Sequence, residues 1–152
     1  MTPHLSKIAY SPVAVGEGIV VCERRHSLSE EDYARITELL SKIGLVLTVD
    51  TELLDIAGTV GGCGPAFVCL FMEALADAAV KHGIARTDAY RMAGQMVAGT
   101  GRLLLESGLH PAQLKDAVCS PGGTTIVGVA ELERRRFRGA VLDAIDAIER
   151  KE

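Results

Sequence analysis

Pro65-Ala66-Phe67-Val68-Cys69-Leu70-Phe71-Met72-Glu73-Ala74-Leu75-Ala76-Asp77-Ala78-Ala79-Val80-Lys81 is the stretch on which the reading of the fold turns. Phe67, Leu70, Phe71, Ala74, Leu75 and Ala78 recur at helical spacing and form the face predicted to be buried. Pro65 suits a first helical position, where a missing N–H costs nothing. The preceding Gly61-Gly62-Cys63-Gly64 reads as a break between helices. Glu73 and Asp77 share a face; paired carboxylates can do acid-base chemistry, and two acids without a partner base equally suit a solvated helix surface.

Downstream, the helical pattern continues. The helix expected over residues 87–107 carries Gly94, Gly99 and Gly101 in its interior, each costing about 1 kcal/mol relative to alanine. Close approach of another long helix would offset that cost, and Ala93, Ala98 and Thr100 extend the small-residue surface. That other helix could lie in the same subunit or in a second copy of the chain. His110-Pro111 starts a short helix running to Val118. Two last helices, from Thr125 to about Arg136 and from Gly139 to Arg150, are expected to bury Ile126, Val129 and Leu132, then Leu142, Ile145 and Ile148.

Upstream the pattern differs. Ile8-Ala9-Tyr10 and Ile19-Val20-Val21-Cys22 read as strands. Ser29-Glu30-Glu31-Asp32 opens a helix with a capping serine and acids over the first turn, Tyr33, Ile36, Leu39, Leu40 and Ile43 follow at helical spacing, and Gly44 ends it. Leu45-Val46-Leu47-Thr48-Val49 is the next strand. Residues 1–50 thus read β-β-α-β and residues 51–152 all helix, with the boundary near Asp50. No strand is followed by G-x-G-x-x-G.

Composition limits the function classes. At 152 residues, 48% hydrophobic and 24% charged, the chain reads as soluble and globular. A net charge of −4 gives no general attraction to nucleic acid or anionic lipid, and Arg134, Arg135, Arg136 and Arg138 read as a solvated face beside Glu131 and Glu133. No apolar run approaches membrane-spanning length, the longest, Ala66-Phe67-Val68-Cys69-Leu70-Phe71-Met72, ending at Glu73, and residues 1–10 lack a signal-peptide pattern, so the cytoplasm is the expected compartment. Cys22, Cys63, Cys69 and Cys119 show no C-x-x-C spacing and are expected as buried or semi-buried free thiols. His4, His26, His82 and His110 are scattered, so no metal site is expected.

Cys119-Ser120-Pro121-Gly122-Gly123-Thr124-Thr125 is the candidate site. Gly122 and Gly123 can take positive φ and leave no side chain in a ligand's way. Thr124 or Thr125 falls where a helix N-cap belongs. An open helix start offers unpaired N–H donors and partial positive charge to a carboxylate or phosphate. An ordinary Pro-Gly turn with a capping threonine fits the same residues.

Gly64-Pro65-Ala66-Phe67, Glu73-Ala74-Leu75-Ala76-Asp77-Ala78, His110-Pro111-Ala112-Gln113-Leu114-Lys115-Asp116, Ser120-Pro121-Gly122-Gly123-Thr124-Thr125 and Phe137-Arg138-Gly139-Ala140 together resemble, in order and spacing, the C-terminal half of pyrroline-5-carboxylate reductase. Val15-Gly16-Glu17-Gly18 and residues 29–50 resemble the end of that family's Rossmann domain more weakly. The resemblance implies reduction of 1-pyrroline-5-carboxylate to proline with NAD(P)H. It implies a mainly α fold, an intertwined helical homodimer preceded by a small β-β-α-β remnant. Carried over, Ser120 and the N–H groups of Gly122, Gly123 and Thr124 would hold the substrate carboxylate, and Thr125, the catalytic candidate, would hydrogen-bond near the ring nitrogen.

There are departures. Ala9-Tyr10-Ser11 stands where the family usually reads Met-Pro-Asn, Gly61-Gly62-Cys63-Gly64-Pro65-Ala66-Phe67 where it reads Ser-Gly-Ser-Gly-Pro-Ala-Tyr, and Arg135-Arg136 where it has Gly-Gly before the phenylalanine. The glycine fingerprint is missing, so NAD(P)H is not expected to bind this chain alone. Three expectations follow: the dimerising, substrate-binding half of a reductase completed by a separate Rossmann-domain partner, a non-catalytic dimer that binds a small carboxylate, or a purely structural dimer. A shortened Rossmann sheet would also expose a strand edge that invites pairing.

Overall fold

A computed structural model describes residues 12–150. The strand expected at Ile8-Ala9-Tyr10 lies outside them. Among the described residues the order is a short 3₁₀ turn, Pro12–Val15, then β1 (Gly18–Glu23), α1 (Glu30–Leu40), β2 (Gly44–Val49), a second 3₁₀ turn, Thr51–Leu53, and α2 (Leu54–Lys81), α3 (Arg86–Ser107), α4 (Pro111–Ala117), α5 (Thr124–Arg134) and α6 (Phe137–Glu149). The fold is mainly α behind a two-stranded parallel sheet.

The described chain divides into two compact units, residues up to 68 with residues from 145 onward, and residues 69–144. In the first, β1 and β2 pair in parallel from Gly18 opposite Gly44 to Glu23 opposite Val49. The glycine pair makes this register possible, because Gly44 has φ +151 and a β-carbon there would overlap the Gly18 backbone. Ser29 caps α1 by accepting from the Asp32 N–H at 3.1 Å, and Tyr33 on α1 shares a hydrogen bond of 2.8 Å with Thr48 on β2. Helix α1 closes at Leu40, and Gly44, expected as the helix stop, instead opens β2. The core is Val20, Val21 and Cys22 on β1, none more than 2% exposed. Arg24 Nε bonds Asp50 at 2.8 Å, joining the two strand ends, and Thr59 on α2 donates to Glu149 on α6 at 2.6 Å.

In the second unit, Ala76 of α2 and Ala89 and Ala93 of α3 are buried, small residues at each point where a core forms. Phe71 and Phe137 meet with ring centroids 6.0 Å apart, and Asp77 pairs with Arg86.

Three expectations need correction. Pro65 lies inside α2, not at a helix start. Proline removes the helical hydrogen bond to the residue 61 carbonyl and crowds that carbonyl and the preceding residue; at Gly64 there is no β-carbon for the ring to strike, and the helix runs through. The helical run Thr51–Lys81 therefore has 31 residues, and an 18-residue stretch within it reaches a mean hydropathy of 1.6, long and apolar enough by length and composition to cross a membrane. The predicted apolar faces are also largely uncovered within the chain: Leu70 is 68% exposed, Leu132 46% and Leu142 66%. Lastly, α5 stops at Arg134 and α6 starts at Phe137, with Arg136 at φ +59 between them.

Candidate functional site

The turn at residues 118–123 hangs from the end of α4. That short helix is held at its start by His110, whose Nδ1 accepts from the Ala112 N–H at 3.1 Å while its own N–H donates to Gln113 Oε1 at 3.0 Å. Pro111 occupies the first helical position. At the other end, the Val118 N–H donates to the Lys115 carbonyl at 3.2 Å and the Cys119 N–H to the Asp116 carbonyl at 3.0 Å. Lys115 pairs with Asp116, which raises its ammonium above the ordinary lysine value.

The two glycines then differ. Gly122 takes the left-handed conformation, φ +68, with open space where a β-carbon would stand. Gly123, expected to share that freedom, sits at φ −74, ψ 168, extended backbone open to any residue. Its N–H donates to the Ser120 carbonyl at 3.0 Å and closes the turn.

Gly123 is also the N-cap of α5, so neither Thr124 nor Thr125 fills the capping role expected of one of them; they occupy the first two helical positions. No side chain caps this 11-residue helix. The N–H groups of Thr124, Thr125 and Ile126 have no partner among the described residues, and the helix dipole adds partial positive charge at the same point. Ser120, Thr124 and Thr125 are exposed, and the Ser120 hydroxyl makes no hydrogen bond among the described residues. The structure thus brings Ser120, Gly122, Gly123, Thr124 and Thr125 to one helix start. The arrangement can accept an anion the size of a carboxylate and add two or three hydroxyl contacts to whatever carries it.

The other candidates disperse. Asp77 is taken by Arg86, whose guanidinium it holds above its ordinary value, leaving Glu73 as a lone exposed acid. Arg134 and Arg135 pair with Glu131, and Arg138 with Glu133 at 2.5 Å, as a solvated charged face should. All four cysteines are free; Cys22 is buried, Cys63 and Cys119 half-buried, and Cys69, against expectation, is exposed. Among the described residues no group of His, Cys, Asp and Glu could hold a metal ion. The capping role of His110 was missed from sequence, although an H-P-x-Q run carries the signal: an acceptor at the cap and glutamine three residues on.

The fit to a dinucleotide can be tested at the β1–α1 connection. A pyrophosphate there needs backbone approach over glycines. This chain has Arg24-Arg25-His26-Ser27-Leu28-Ser29, and the Ser29 side chain already caps α1. These residues offer a pyrophosphate no glycine-lined approach at that connection.

Fold and turn together define a helical domain with an open helix start, joined to a parallel β-α-β unit. Comparison with known proteins places that class. The family model for pyrroline-5-carboxylate reductase dimerisation matches residues 51–152, and the chain belongs to the pyrroline-5-carboxylate reductase family. It is 47% identical to a pyrroline-5-carboxylate reductase of Treponema pallidum (strain Nichols) over 95% of this chain and 55% of that protein. With the Synechocystis reductase it shares 42% over 93% of this chain and 53% of that protein. Among solved structures, a Plasmodium falciparum pyrroline carboxylate reductase with NADP bound aligns at 34% identity and TM-score 0.79, covering 90% of this chain and 56% of that one. A Coxiella burnetii reductase aligns at 28% identity and TM-score 0.85, covering 96% and 52%. The chain spans about half the length of the curated relatives it matches.

Proposed function

We propose that this chain is the substrate-binding and dimer-forming half of a cytoplasmic pyrroline-5-carboxylate reductase. The observation that carries the reading is the open start of α5, where three helix N–H groups and the Ser120 hydroxyl converge without partners inside the family-matched segment. Ser120 and the N–H groups of Gly122 and Thr124 hold the carboxylate of a five-membered ring acid, pyrroline-5-carboxylate or proline, while the Gly123 N–H, expected to join them, is taken by the Ser120 carbonyl. Thr125, one position into the helix, hydrogen-bonds the ring nitrogen during reduction of the adjacent C=N bond. NAD(P)H is the reductant; with no glycine-lined approach for its pyrophosphate at the β1–α1 connection, it belongs to a dinucleotide-binding half outside residues 12–150. Functionally the boundary falls near residue 50, with β1, α1 and β2 continuing the dinucleotide-binding side and residues 51–152 supplying substrate and dimer contacts.

The apolar faces left open within one chain support a homodimer. Leu105 is 74% exposed and Val127 67%. A β-carbon at Gly94, Gly99 or Gly101 would meet nothing within 4 Å, so although Ala93 is buried, these three glycines of α3 are not pressed by any described helix of their own subunit. A second copy covers these faces, and the length and hydropathy of Thr51–Lys81 serve that contact and not a lipid bilayer.

The test combines native mass spectrometry of the chain, calorimetry with L-proline, and NADPH oxidation with pyrroline-5-carboxylate after mixing with the dinucleotide-binding half of the Treponema reductase. A dimer that binds L-proline and turns over on mixing is expected. A monomer that binds no L-proline would overturn the proposal, and a proline-binding dimer that never turns over would reduce it to a carboxylate-binding module.

A further inference from the structure

We infer that Gly123 is a positioning residue for the carboxylate site, acting through the β-carbon it lacks and not through its backbone conformation. This rests on the carboxylate-binding reading above. At φ −74, ψ 168 nothing in the backbone requires glycine. Yet a β-carbon there would overlap the Ser120 hydroxyl oxygen, stand 3.6 Å from the Ser120 β-carbon and crowd the Ser120 carbonyl oxygen at 3.1 Å. The hydroxyl is therefore seated against the α-carbon of the N-cap residue, beside the open N–H groups of α5. The adjacent glycine has the opposite rationale: Gly122 stands in open space but needs φ +68. One glycine shapes the turn, and the other makes room for a hydroxyl.

The consequence is directional. The Ser120 carbonyl is held by the Gly123 N–H at 3.0 Å, so the turn resists opening, whereas the hydroxyl moves by rotation about one bond. Gly123→Ala thus turns Ser120 away from the helix start and leaves the N–H donors in place. It reproduces the loss caused by Ser120→Ala, a hydrogen bond to a charged group.

The experiment is a double-mutant cycle on the full chain, reading L-proline affinity by calorimetry and stability by denaturant unfolding. Gly123→Ala and Ser120→Ala each weaken L-proline binding about tenfold, and the double variant is within about twofold of either single one. In stability, Gly123→Ala lowers the folding equilibrium constant about tenfold with Ser120 present and about twofold once Ser120→Ala has removed the hydroxyl. Gly122→Ala destabilises equally in both backgrounds. Additive losses in both cycles, or Gly123→Ala binding L-proline like the parent, would overturn the inference. Absence of L-proline binding in the parent sinks the functional proposal instead, and the stability cycle then decides the placement of Ser120 without any ligand.

Discussion

Replacing Arg136 tests how this chain makes the turn between its last two helices. Arg136 has φ +59, the lone non-glycine residue at positive φ among those described, and it links α5 to α6 through an N–H bond to the Glu133 carbonyl and a carbonyl bond from the Ala140 N–H, both 2.9 Å. A left-handed residue with a β-carbon costs roughly 1–2 kcal/mol. Glycine avoids that cost but loses about 0.5–1 kcal/mol through the extra freedom of its unfolded state. The Arg136 side chain also runs past Gly139, with atoms 3.8 Å from where a β-carbon of Gly139 would lie, so the comparison needs Arg136→Ala as its reference. Both variants lose the side chain, and only one keeps the strain. Arg136→Gly should be more stable than Arg136→Ala by about 0.5–1 kcal/mol. That corresponds to a midpoint roughly 1–4 °C higher in thermal unfolding, compared at one protein concentration because assembly shifts the midpoint. Equal midpoints, or a lower one for Arg136→Gly, would show that the linker is unstrained and refute the reasoning.

Cys22 is 1% exposed and burial pushes its thiol above the ordinary value. Only the unfolded chain ionises it between the ordinary and the raised value, so its contribution is full below the ordinary thiol value and is lost as pH rises toward the raised one. Denaturant midpoints at pH 8 and pH 10 should therefore fall further for the parent than for Cys22→Ala. Asp77→Asn removes an exposed pair with Arg86, so unfolding should change by less than about 1 kcal/mol and calorimetry should show L-proline binding unchanged; a large binding loss would restore an acid-base role for that carboxylate. His110→Ala removes the α4 cap, which should cost about 1 kcal/mol and speed hydrogen exchange at the Ala112 amide, with His110→Asn restoring protection.

Much of the architecture was legible because local rules and global packing agree. Ser29 followed by three acids marked the start of α1, and the alternation from Leu45 to Val49 marked β2. The turn at residues 120–125 was legible as an open helix start, since proline, paired glycines and hydroxyls precede an apolar run. The missed features are those where a distant or subtle steric fact overrides propensity. Pro65 argues for a helix boundary, and Gly64 weakens the argument by removing the β-carbon that the proline ring would strike in the preceding residue. Arg135-Arg136 lacks the glycine a helix stop prefers, yet the stop is made with a strained arginine. Periodicity identified which faces are apolar, but not that one subunit leaves Leu70, Val127 and Leu142 open.

Sequence alone determined the helical class of the chain beyond residue 51, the strands and helix before it, and the residue types at the 120–125 turn, because each depends on spacing within a few residues. Tertiary structure alone decided that α2 is continuous, that Asp77 is claimed by Arg86, and that Gly122 and Gly123 serve different ends. Those outcomes depend on which atoms occupy the same small volume. Gly123 shows the reason most simply: its backbone conformation requires no glycine, and a β-carbon there would displace the Ser120 hydroxyl.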